Sequence, residues 1–183
     1  MSAKNTLSTF GYVAKSIHWI VAFLIIAMLI FGYFMEDFPA SLEVVVYNTH
    51  KTIGIIIFTL VVLRLGWRLM NIQPAYPTQL SSILRCAALL THYAIYAAML
   101  LMPLSGWVMS TAYGKIPRFL GLFDFPMPGI PQNAQLGSLA LQTHNTLAII
   151  FIVLLVLHIG AVLFHHLVLR DNVLTRMLPQ RNK

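Results

Sequence analysis

His144 and His158 bracket the stretch NTLAIIFIVLLVL, thirteen residues without a charge, inside a longer apolar run from Leu139 to Leu169. A run of that length crosses the roughly 30 Å hydrocarbon core of a bilayer as a helix. At about 100° per residue, the fourteen steps from His144 to His158 bring the second imidazole to within roughly 40° of the first, so both project from one face. The rise of about 1.5 Å per residue sets them about 21 Å apart along the axis, too far to serve one site. Two sites stacked along a single helix are required, each completed from another helix.

Three more segments are long and apolar enough to span: Ile17 to Met35, Val46 to Leu69 and Leu84 to Met109. With 58% hydrophobic and 9% charged residues the chain lies outside the range of soluble domains. The first run is too long for a signal peptide and no small-residue cleavage pattern follows it, so it reads as a retained span. No internal repeat or composition break divides the chain, and one domain covering residues 1–183 is expected. The single cysteine, Cys86, excludes an internal disulfide and a cysteine-ligated cluster. The connectors are EDFPASLE, NIQPAYPTQLSS and the long YGKIPRFLGLFDFPMPGIPQNAQLGS, whose prolines and glycines predict an irregular cap or lid.

Four spans put both termini on one side, with Lys4, Lys15, Arg64, Arg68, Arg85, Arg170, Arg176, Arg181 and Lys183 against a single acid, Asp171. The other side holds Lys51, Lys115 and Arg118 with Glu36, Asp37, Glu43 and Asp124. Cytoplasmic flanks collect Lys and Arg, so the termini are expected in the cytoplasm. The net charge of +7 then reflects topology and contact with anionic membrane lipid, and no nucleic acid is expected as a partner. Trp19 and Trp67 near the inner boundary and Trp107 near the outer one fit an aromatic belt.

Sorted by depth, the histidines form an outer pair, His50 with His144, and an inner pair, His18 with His158. Histidines in a bilayer are costly and face the bundle interior for a reason. Zinc wants four protein or water ligands, and di-iron sites want carboxylates, yet no Asp, Glu or Cys accompanies these histidines within the spans. Haem supplies four nitrogens itself and needs two axial ones. The fold class is therefore an all-α, integral membrane four-helix bundle enclosing two b-type haems. Gly54, one turn from His50, leaves room for a porphyrin or serves close helix packing; Pro103 and Gly106 are expected to bend the third span and open a gap. Arg64 and Arg68 are candidates for haem propionates as well as charge markers. His92 is a candidate partner of a propionate or quinone, or a satisfied polar group; His165 and His166 read as solvated interfacial residues.

KSIHWI, THKTIG, VVLRLGWR, LMPLSGWVM, the paired His144 and His158, and HHLVLRDNVLTRMLP together resemble the bacterial cytochrome b561 family over nearly the whole chain. The resemblance implies a four-helix inner-membrane cytochrome with axial ligands at His18, His50, His144 and His158. Some members are superoxide oxidases, so it further implies superoxide as donor at the periplasmic face and ubiquinone as acceptor in the membrane. On that reading Lys51, Lys115 and Arg118 are candidates for steering superoxide, although the outer loops carry one more acid than base. Two other readings stay open: a haem b relay subunit docking on a partner dehydrogenase or hydrogenase, and a non-redox bundle in which the histidines are polar glue between helices.

Overall fold

The computed structural model describes residues 2–75 and 81–179. Four long helices carry it: α1 (Tyr12–Tyr33), α2 (Glu43–Leu69), α3 (Ser82–Ala112) and α4 (Ala134–Phe164). All four are long and apolar enough to cross a membrane. Each begins before the apolar run that announces it, and at α3 and α4 a polar residue at the boundary caps the helix. Ser81 accepts a hydrogen bond from the Leu84 N–H at 3.4 Å, and Asn133 from the Leu136 N–H at 2.9 Å. Arg181, Lys183 and residues 76–80 of the second connector lie outside the described residues.

The packing is uneven. α3 lies closest against α4, α1 packs on α2 and α2 on α3, whereas α4 makes no comparable backbone approach to α1 or α2. A mid-bundle layer of Val21, Ile25, Ile57, Val61, Ile95, Ala98, Met99 and Phe151 joins the four helices. Most other large apolar side chains point outward, Phe23, Ile149 and Val156 among them, as lipid-facing positions do. Lipid is as apolar as leucine, so this layer holds by close contact and not by escape from water.

At one end the chain termini knit together. Asn5 bridges the Ile72 carbonyl and the Gly11 N–H, each at 2.9 Å. The C-terminal segment is bound through its carbonyls: Lys15 donates to Leu178 at 3.0 Å and Trp19 to Met177 at 2.9 Å. α4 closes with a π-helical turn, His165–Leu169, and Arg170 in the left-handed region at φ 52° turns the chain back. The reversal places Asp171 against His165, Nδ1 donating to Oδ2 at 2.5 Å, so His165 is hydrogen-bonded to a carboxylate and not merely solvated. Burial pushes the Asp171 carboxyl up, but hydrogen bonds from the Val173 N–H and His165 outweigh it and hold the group below the usual carboxylate range.

At the other end the lid is more regular than its composition predicts. It contains an antiparallel ribbon, β1 (Arg118–Phe119) with β2 (Phe123–Asp124), turned through Leu120 at φ 51° and Gly121 at φ 73°. Asn48 of α2 grips it with both side-chain atoms, donating to the Arg118 carbonyl and accepting from the Arg118 N–H, each at 2.8 Å. Trp107 donates to the Phe125 carbonyl at 2.8 Å and stacks on its ring at 5.0 Å. Trp107 and Trp19, expected as belt residues, thus fasten the two end segments to the bundle.

Candidate functional site

At the lid end α2 and α4 bring His50 and His144 together, ring centroids 6.3 Å apart and planes at 75°. Two metal–nitrogen bonds of about 2.0 Å plus a ring radius on either side come to roughly 6 Å, so one atom fits between the imidazoles. The room comes from glycines on the neighbouring helices. A Cβ on Gly32 would stand 3.1 Å from His50 Cε1, and one on Gly106 3.0 Å from His144 Cε1. Gly106 therefore lets an imidazole in at close quarters, a different role from the helix-bending gap its sequence context predicts, and α3 runs through Pro103 as one helix. A Cβ on Gly54 would meet nothing within 4 Å, so close helix packing does not explain that glycine.

His144 Nδ1 lies 3.0 Å from the Met102 carbonyl and 3.1 Å from Ser105 Oγ, whose own proton goes to the same carbonyl at 2.7 Å. A carbonyl only accepts, so Nδ1 carries the proton and Nε2 keeps a free lone pair. That orientation is the one a metal-ligating histidine needs. His50 Nδ1 is buried and has no hydrogen-bond partner among the described residues, and the Phe31 ring stacks on its imidazole at 6.2 Å.

The lid roofs this pair. Lys51, adjacent to His50, donates to the Lys115 carbonyl at 2.7 Å, and Ser110 Oγ bonds the same oxygen. Arg118 lies 3.6 Å from Asp124, both well exposed, so its charge is partly offset.

At the terminus end the cluster is larger than a pair. His158 of α4 meets His92 of α3 at 5.3 Å, planes at 78°, and His18 of α1 lies at the same end of the bundle. His92 Nδ1 donates to the Ala88 carbonyl one turn back on its own helix at 2.7 Å, which makes it a satisfied polar group beside His158. Arg64 Nη2 reaches His18 Nδ1 at 2.8 Å. Arg64 and Arg68 both lie over the Tyr96 ring, at 5.4 and 5.5 Å. Gly32 and the contact between Arg64 and His18 carry no motif in the sequence; the one signal is that Gly32 shares the depth of His50.

The lid-end site bridges α4 to a helix it does not pack against closely, His144 to α2. A flat macrocycle needs such a seam, and the donors present suit it. Among the described residues no three His, Cys, Asp or Glu gather into a metal cage, while neutral imidazoles from facing helices are what a haem lacks. The orphaned His50 Nδ1, the glycines against both lid-end imidazoles and the open space at Gly54 agree with that fit.

A family model described as prokaryotic cytochrome b561 matches residues 9–180. Cytochrome b561 homolog 2 of Escherichia coli (strain K12) is 32% identical over 180 residues, 97% of this chain and 95% of that protein. Cytochrome b561 homolog 1 of the same organism is 32% identical over 169 residues, 90% of this chain and 94% of its own. A Yersinia pestis protein named probable superoxide oxidase CybB is 29% identical over 166 residues, 90% of this chain and 93% of its own. With four spanning helices and imidazoles gathered between them, this chain belongs to the prokaryotic cytochrome b561 family, multi-pass inner-membrane electron-transfer proteins of the haem b class.

Proposed function

We propose that the chain works as one unit that takes electrons from superoxide at the lid end, on the periplasmic face, and delivers them to ubiquinone in the membrane, with both termini in the cytoplasm. His50 and His144 would hold one haem b, and His18 and His158 a second. The observation that carries this reading is the pairing of His50 with His144 at 6.3 Å across a loose seam, with the second cluster two heptads along the same face of α4. The Yersinia relative's name supports the choice of donor. Two superoxide ions give two dioxygen molecules and two electrons; with two protons these convert a quinone to a quinol.

Haem b, when bound, supplies reversible one-electron storage at each depth. Met102 and Ser105 hold the His144 ring with its Nε2 lone pair available. Lys51 keeps a cation beside His50 under the lid, and Lys115 adds an exposed one; Arg118, paired with Asp124, contributes less to the attraction of an anion. The test is a haem-to-protein ratio with oxidised and dithionite-reduced spectra, followed by ubiquinone reduction driven by an enzymatic superoxide source. Two low-spin haems and superoxide-dependent quinol are expected. Two haems without quinol formation would return the chain to a relay subunit of a dehydrogenase or hydrogenase complex.

A further inference from the structure

The indole N–H of Trp67 is buried and donates to nothing among the described residues. A buried donor left unpaired costs about 1–3 kcal/mol, so a partner is to be sought. Trp67 lines a small cavity at the terminus end, together with Asn5, Arg64, Arg68, Tyr96 and Met177. The walls are rich in donors and poor in charge-balancing acceptors. The two guanidinium groups are gathered over one Tyr96 ring, Arg68 bonds the neutral Gln73 side chain at 2.9 Å, and among the described residues no carboxylate is ion-paired with either.

Size decides what fits. The cavity measures about 30 Å³, room for roughly two waters, which suits a carboxylate and is far too small for a quinone ring. Arg64 adds a chemical argument. An imidazole bound to iron through Nε2 carries its proton on Nδ1 and accepts nothing there, so the Arg64 contact with His18 Nδ1 is lost when His18 ligates. The guanidinium, one turn from Trp67, is then left in need of an acceptor.

We infer that Trp67 Nε1–H, Arg64 and Arg68 form a carboxylate seat for a propionate arm of the haem held at His18, which makes Trp67 a positioning residue for that haem. The inference rests on the haem reading above. An oxyanion could also reach this seat from an anionic lipid headgroup, and the experiment separates the two sources.

Trp67→Phe keeps the ring and removes only the donor. Optical redox titration of the purified protein is expected to show both haems retained, the midpoint of the His18 haem shifted downward and the other unmoved, because a less neutralised carboxylate favours ferric iron. Arg68→Gln is expected to shift the same midpoint downward, and Arg68→Lys to recover most of the shift; this second pair carries the test if the tryptophan variant does not fold. Unchanged midpoints in folded Trp67→Phe or in Arg68→Gln overturn the inference. Loss of a copurifying anionic lipid, seen by native mass spectrometry with midpoints unchanged, overturns it in favour of a headgroup. Native protein with no haem at His18 overturns the haem reading itself, a result obtained before any variant is made.

Discussion

The lid end and the terminus end of the bundle present the same kind of donor in unlike surroundings. At the lid end two imidazoles stand between glycines, with an aromatic ring, a carbonyl and the single ammonium of Lys51 as neighbours. At the terminus end three imidazoles share their space with two guanidinium groups, and the nearby Gly66 and Gly160 face nothing within 4 Å. Positive charge beside a redox group stabilises its reduced form, so a haem held at the terminus end would hold an electron more tightly than one held beneath the lid. On the proposed function that contrast would set the direction, electrons entering beneath the lid passing toward the termini.

The strongest way to break this comparison is His144→Ala, expected to abolish the lid-end haem and leave the other, read as half the native haem content. Retention of both haems in folded protein would sink the pairing of His50 with His144. Gly106→Val should act next most strongly, because even its Cβ would sit 3.0 Å from His144 Cε1. Overpacking of this kind costs about 1–3 kcal/mol, and the lid-end haem alone should show altered low-spin resonance or reduced occupancy. Arg64→Gln sharpens the contrast: the gap between the two midpoints should narrow, with the fall confined to the terminus-end haem.

Asn48→Ala removes both hydrogen bonds to the Arg118 backbone, an expected loss of about 1–3 kcal/mol of local lid stability, seen as faster amide exchange over the ribbon at unchanged haem content. The smallest effect belongs to Asp171→Asn. The folded carboxyl titrates below its ordinary value of 3.8, so its contribution is complete above that pH and fades as pH falls through the lower folded value. The variant should therefore lose a little thermal stability at neutral pH and converge with the native protein in acid.

Depth was legible in the sequence, and rotation about the helix axes was not. Hydropathy and helical rise suffice to list four spans and to sort His18, His50, His144 and His158 by level. Which side chains then meet depends on how the helices turn toward one another, and four nearly uniform apolar surfaces carry little record of that. Gly32 and Gly106 look alike in sequence to Gly66 and Gly160, yet only the first two stand against imidazoles. His92 beside His158, and Arg64 on His18, belong to the same blind spot. The ribbon in the lid was hidden differently: strands of two residues leave no alternation to detect.

The spacing of fourteen between His144 and His158, with the buried Phe151 midway, makes this part of α4 a ruler. Substituting one aliphatic residue for another within it changes neither hydropathy nor span. Inserting or deleting a single residue would swing one imidazole about 100° around the axis, out of the seam and toward lipid, while every measure of apolarity stayed the same. Change in this stretch is therefore free in composition and forbidden in length, and a helix that looks like the least specified part of the chain is the one whose count cannot vary.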